Sequence, residues 1–311
     1  IGAYRPEMRA VHPSLEHLSG ATPDSAAPSV LRLPSLDREA VSRLLTHLGT
    51  ELPPDLPDRL HRHSEGNPFV LVETLRTLFK SGKLRREPNG RLVELEEGAW
   101  PVPRRVYDLI QARFSTLGEE HRRALAAAAV IGRPFVLPLL RRVSGLPELQ
   151  LLKIVEQLLD GAFLTEKDES LPQKVLDFHH HYFRRAIYDG LKAVQRQTLH
   201  RRAARSLMAL HRARPGAVAE EVAYHYEQAG DVLAISYLVQ SAQQAEALFA
   251  YHHATDLYSR ALSTHRIHLP GDLAGRFDLL LAREGVLDRQ ARRAEQKEDI
   301  AALLELAEGL A

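Results

Sequence analysis

The chain opens its readable pattern at Ser35 or Asp37, either of which suits a helix N-cap, and apolar side chains then recur at Ala40, Val41, Leu44, Leu45 and Leu48 before Gly49. That i, i+3, i+4, i+7 recurrence marks one face of an amphipathic helix with a glycine stop. After the break Pro53-Pro54-Asp55, a second short helix ends at Ser64-Glu65-Gly66. Asn67-Pro68 then supplies a cap and a first-turn proline for a third helix. Its buried stripe is expected at Phe69, Val72, Leu75, Leu78 and Phe79, with a stop at Ser81-Gly82. Two short alternating segments, Leu84 to Glu87 and Arg91 to Leu95, flank Pro88-Asn89-Gly90. Asn-Gly in that setting signals a β-hairpin.

Pro101-Val102-Pro103 marks a boundary, because proline breaks an incoming helix and presets the next. Four helices follow, at Val106 to Leu117, Glu119 to Ile131, Phe135 to Val143 and Leu149 to Ala162, with Gly132 and Gly145 as stops. Phe163-Leu164-Thr165 and Val175 to Phe178 enclose the polar stretch Lys167 to Gln173, which reads as a wing, and helices followed by a wing suggest a winged-helix domain. Beyond Tyr188 the pattern is helical throughout. Within Ala234 to Leu262, the residues Ala242, Ala254, Tyr258 and Ala261 stand at tetratricopeptide spacing, flanked by helical stretches at Gln195 to Leu210, Ala219 to Gly230 and Phe277 to Leu306. Repeats of this kind bury their apolar faces by stacking on neighbours.

Composition agrees with a helical chain. Of 311 residues, 44% are hydrophobic and only 6% aromatic, a Leu, Ala and Val mixture that favours helix-on-helix packing. That length exceeds one ordinary core, so several packed units are expected. A formal net charge of +1 supplies no field to attract nucleic acid. The absence of cysteine excludes disulfides, thiolate metal sites and a cysteine nucleophile, and suits a reducing, cytoplasmic setting. No apolar run approaches membrane-spanning length. The opening Ile1-Gly2-Ala3-Tyr4, stopped by Arg5-Pro6-Glu7, reads as the end of a strand cut from a longer chain.

Three motifs occur in order: Gly2-Ala3-Tyr4-Arg5-Pro6, Gly66-Asn67-Pro68-Phe69, and Phe178-His179-His180 followed by Arg184-Arg185-Ala186-Ile187-Tyr188. They resemble, respectively, the sensor 1 strand end, the GxP module and the F-x-H segment of bacterial STAND signal-transduction ATPases. The segments Ala127 to Gly132, Leu199 to Ala204 and His225 to Asp231 are similar to those chains as well. The resemblance implies a mainly α architecture: residues 1–30 as the end of a nucleotide-binding α/β domain, 31–100 as a helical lid with a β-hairpin, 101–191 as a winged helix and 192–311 as tetratricopeptide-like repeats. It places Arg5 beside the γ-phosphate, Pro68 against the adenine and His180 on the ADP β-phosphate. A guanidinium fork suits phosphate oxygens, a proline ring packs on a flat base, and a histidine donates to phosphate.

No G-x-x-x-x-G-K-[ST] run occurs, so the resemblance puts the P-loop before Ile1 and the chain by itself is expected to be no enzyme. It implies ATP or ADP with magnesium in the parent protein and no tight nucleotide binding by this piece. It further implies a protein or small-molecule inducer on the repeats and self-association in the ATP state. Alternative readings of the same residues are weaker. Consecutive residues of an extended segment face opposite ways, so His179, His180 and His181 should not chelate one metal, and His179 and His181 should point away from whatever His180 meets. The helix at 149–162 offers only Gln150, Lys153 and Gln157 for reading DNA. A scaffold of helical repeats with no nucleotide role is the second reading.

Overall fold

A computed structural model describes residues 33–48, 51–95, 100, 102–167 and 174–310. Among them the protein is mainly α, with fourteen α-helices and five short strands. Two compact units emerge, Ile1–Arg122 with Leu152–Lys167 and Asp177–Gly190, and Arg123–Leu151 with Asp168–Leu176 and Leu191–Ala311. Arg5 lies outside the described residues.

The first unit begins with α1 (Arg38–Thr46), α2 (Leu56–Ser64) and α3 (Pro68–Lys80), followed by the hairpin β1 (Leu84–Arg86) and β2 (Leu92–Glu94). Asp37 is the α1 cap, accepting from the Ala40 N–H. The hairpin pairs antiparallel, Leu84 opposite Glu94 and Arg86 opposite Leu92. Val41, Leu45, Leu56, Leu60, Leu71, Leu75, Leu78, Leu84 and Leu92 form its core, with Trp100 packed against them. The stripe expected on α3 needs correction. Val70, Leu71, Thr74, Leu75 and Leu78 are buried, whereas Phe69, Val72 and Phe79 stay 46%, 38% and 37% exposed. Phe69-Val70-Leu71-Val72 is apolar all round the first turn, so periodicity permits two faces about 100° apart. Packing on α2 and β1 selects the Leu71 and Leu75 side.

Further on in this unit, α4 (Arg104–Ser115) packs on α8 (His181–Gly190), and Gln111 Nε2 donates to the Ala186 carbonyl at 2.6 Å. The strand β4 (Leu164–Glu166) and the last residues of β5 (Val175–Phe178) belong to the same unit. There Phe163 O accepts from the His179 N–H at 3.0 Å.

In the second unit, α5 (Glu119–Ile131) ends at Gly132, and β3 (Phe135–Val136) pairs antiparallel with β5, Phe135 opposite Leu176. The helix expected from Phe135 therefore starts later, as α6 (Leu137–Ser144). A start at Phe135 would place Pro138 where an intrahelical N–H is required, while a start at Leu137 leaves it in the first turn, where none is. The helix α7 (Glu148–Asp160) follows, its residues from Leu152 onward belonging to the first unit.

The remaining helices are α9 (Ala193–Leu210), α10 (Ala219–Gln228), α11 (Ala234–Ala247), α12 (Tyr251–His268), α13 (Leu273–Arg289) and α14 (Arg293–Leu310), each packed on the next. Ala242, Ala254, Tyr258 and Ala261, the repeat positions, are all in the core together with Ala223, Leu238 and Leu257. The alanines among them allow close helix approach. Phe249 (φ 59°) and Ala291 (φ 55°) adopt left-handed backbone at the α11–α12 and α13–α14 junctions, which divides the helical stretches read from the sequence into pairs.

Candidate functional site

Two of the three motifs meet in the first unit. α2 terminates at Glu65 (φ 50°) and Gly66 (φ 71°), both left-handed. Glycine is required at 66 on steric grounds, since a Cβ there would stand 2.2 Å from the Leu36 carbonyl oxygen, and the Leu36 N–H donates to Gly66 O at 2.8 Å. Asn67 caps α3 by accepting from the N–H groups of Phe69 and Val70 at 3.0 and 3.3 Å. Pro68 occupies the first turn of α3 and is exposed.

The left-handed turn points the Glu65 carboxylate at the other motif, 115 residues away. One oxygen lies on His180 Nδ1. The other accepts from the His181 backbone N–H at 3.2 Å and contacts His181 Nδ1 at 2.8 Å. Asn67 Nδ2 donates to the Tyr182 hydroxyl at 3.3 Å, and the His180 ring stacks on Tyr182 with centroids 4.9 Å apart. The two histidines thus share a partner, contrary to the alternation expected of an extended segment. β5 ends at Phe178 and α8 begins at His181, so the strand period stops before it can separate them.

Burial works to raise the Glu65 carboxyl, but hydrogen bonds from the His180 and His181 side chains and the His181 N–H outweigh it and hold the group well below the usual carboxylate range. Behind it, the His63 ring lies edge-on to His181 at 5.8 Å and to Trp100 at 5.6 Å. Burial, with the neighbouring His181 second, pushes His63 down to about 4. Arg59 sits over the Trp100 ring at 4.5 Å and bonds Glu94 at 2.7 Å. Sequence reasoning found Pro68 and His180 but missed Glu65, His63, Tyr182 and Trp100 as neighbours. A carboxylate beside a glycine reads as a solvated helix end, and nothing local announces its left-handed turn.

A second titratable cluster, also unforeseen, lies in the second unit. His200 on α9 and His225 on α10 are 0% and 1% exposed, with their Nδ1 atoms 2.8 Å apart. One neutral ring donates and the other accepts. Burial and then Arg196 lower His200 to about 4. Burial, then His200 and Arg133, lower His225 to about 3.

No family profile matches the chain. It is similar to an uncharacterized protein of Rhizobium meliloti (strain 1021), 30% identical over 187 residues that make up 58% of this chain and 17% of that protein. The chain thus spans a small part of its curated relative. Among solved structures it aligns with the crystal structure of a Signal Transduction ATPase with Numerous Domains (STAND) protein with a tetratricopeptide repeat sensor from Pyrococcus horikoshii, at 12% identity over 93% of this chain and 57% of that one. The TM-score of 0.25 is too low for that likeness to carry fold or function across. Among the described residues no helix is long and apolar enough to cross a membrane.

Proposed function

We propose that this chain is the regulatory and coupling part of a STAND-type ATPase switch, in which residues 31–100 act as a lid, 101–191 as a winged helix and 192–311 as a helical-repeat sensor. The observation that carries the reading is the meeting of the Glu65-Gly66-Asn67-Pro68 turn with His180 and His181. In the resemblance these segments serve one nucleotide, and from the residues alone there is no reason for them to converge. Pro68 and His180 would hold the nucleotide, with Arg5 as a third contact. His180 Nδ1 and the His181 N–H at the start of α8 are donors suited to an oxyanion. Glu65 satisfies them with a carboxylate, so a phosphate group would gain these donors in exchange for Glu65.

ADP would hold the parent protein closed, and exchange for ATP, favoured by an inducer on the repeats, would release it to self-associate. The chain alone should bind ATP weakly, without turnover, because these contacts cannot replace a P-loop and magnesium. It should also bind no specific DNA sequence, lacking both net charge and base-reading side chains.

ADP release from the intact gene product, read with a fluorescent nucleotide, is the test. A hydrogen bond to a charged phosphate contributes about 1.5 to 3 kcal/mol, so His180→Ala should accelerate release roughly 10- to 100-fold. His179→Ala should leave release near the parental rate, and Glu65→Ala, which removes the competing carboxylate, should slow it. Equal rates in His180→Ala, Glu65→Ala and the parent would refute the reading and leave a helical-repeat scaffold.

A further inference from the structure

Between α11, α12 and α13 the second unit forms an open cleft of about 550 Å³, within the size range of small-molecule sites. Its walls are apolar: Ile235 and Val239 from α11, the Tyr258 ring from α12, and Leu279 and Ala282 from α13. At its rim Val232, Leu233 and Leu269 remain 42%, 46% and 37% exposed. A cluster of half-bare aliphatic side chains around a concavity is uncommon on a surface with no binding role.

The polar side chains of the lining are Ser236, Gln243, His265, Asp272 and Asp278. Asp272 and Asp278 line the cleft, and neither lysine nor arginine does. Asp272 is committed to the protein. It caps α13 through the Gly275 N–H at 2.9 Å and meets His265 Nε2 at 3.1 Å. The bond from Gly275, more than that from His265, keeps its carboxyl below the ordinary range. Asp278 lies one and a half turns further along α13 and is exposed. Among the described residues nothing hydrogen-bonds or ion-pairs with it, which leaves its carboxylate available to a ligand. Apolar walls with one free anion and a second, capped one select an occupant of defined chemistry.

We propose that this cleft is a binding site for a small organic cation, an ammonium or guanidinium head carried on an aliphatic or aromatic body. The body fills the space between Val239, Tyr258 and Ala282 while the head faces Asp278. The site stands independently of the nucleotide reading. Its service as the inducer site of a switch rests on that reading.

Calorimetric titration of the 311-residue chain with 2-phenylethylamine, against 3-phenylpropanoate as the matched acid, tests the proposal. The amine should bind about tenfold more tightly than the acid, equivalent to about 1.4 kcal/mol. Asp278→Asn should bring the two within about twofold of each other. Ala282→Phe, which fills the cleft from one wall, should abolish both, with unchanged circular dichroism to show that the fold is intact. Equal binding of amine and acid, amine affinity unaffected by Asp278→Asn, or no amine binding up to about 10 mM would overturn it. If the amine binds as described but leaves ADP release from the intact protein unchanged, the site stands and its inducer role falls.

Discussion

Acidification from pH 7 to pH 5 should weaken the second unit through His200 and His225, by an amount that follows from their burial. Both rings are fully enclosed and share one N–H···N bond at 2.8 Å; the accepting ring must be neutral to make it, and burial disfavours a charge on the donor as well. Their folded values of about 4 and about 3 lie below the unfolded value of 6.5. A base whose folded pKa is depressed binds more protons when unfolded. Its stabilising contribution is therefore complete above pH 6.5 and falls as the pH drops from there toward the folded pKa. At 1.36 kcal/mol per unit of pH for each proton, the interval from 6.5 to 5 removes about 2 kcal/mol per ring, or about 4 kcal/mol for the pair. That is a large share of the 5 to 15 kcal/mol typical of a folded domain.

The assay is urea denaturation by circular dichroism at pH 7, 6 and 5, with Trp100 fluorescence followed in parallel. The sole tryptophan lies in the first unit, so its signal separates that unit's unfolding from the transition of interest. His225→Gln supplies the control that cancels the other histidines. At pH 7 it should be less stable than the parent, because it disturbs the buried pair. By pH 5 that disadvantage should shrink by about 2 kcal/mol, since one proton-binding ring has left the unfolded state. A disadvantage that is the same at both pH values would refute the assignment of buried neutral rings at 200 and 225.

Three substitutions probe the structural supports of the two units. Gly66→Ala introduces a Cβ 2.2 Å from the Leu36 carbonyl at φ 71°, and should cost about 2 kcal/mol or more in the first unit, read from the urea midpoint of Trp100 fluorescence. Asn67→Ala removes the cap on α3 and should cost about 1 kcal/mol in the same measurement, while Asn67→Asp, which can still accept from Phe69 and Val70, should recover most of it. Asp299 is 2% exposed and takes both Arg283 Nε and Nη2 across α13 and α14. Asp299→Ala leaves the partly buried guanidinium unmatched and should lower stability by about 3 kcal/mol in the dichroism transition, whereas an unchanged midpoint would mean solvent satisfies Arg283.

Local chemistry made much of this protein readable in advance. The Asn67-Pro68 helix start, the Asn89-Gly90 hairpin and the buried alanines at 242, 254 and 261 rest on capping, turn preference and helical period, each acting within a few residues. Those same local rules could not choose which face of α3 to bury, because Phe69 to Val72 offers apolar side chains all round. They could not place β3 either, because Phe135 and Val136 become a strand by pairing with Val175 and Leu176, some forty residues on.

The candidate site divides along the same line. Pro68 and His180 stand out by motif, but the resemblance by which they were noticed says nothing about what each touches. Glu65 joins them because two successive left-handed residues turn its carboxylate out of α2, and His181 joins because a strand gives way to a helix one residue too early for alternation to hold. The cation cleft and the neutral pair at His200 and His225 require successive helices of the second unit to pack side by side. Sequence fixes the period and caps of each helix through nearest-neighbour sterics. Which carboxylate is left free, and which imidazole is denied water, is decided only when separate elements exclude solvent together.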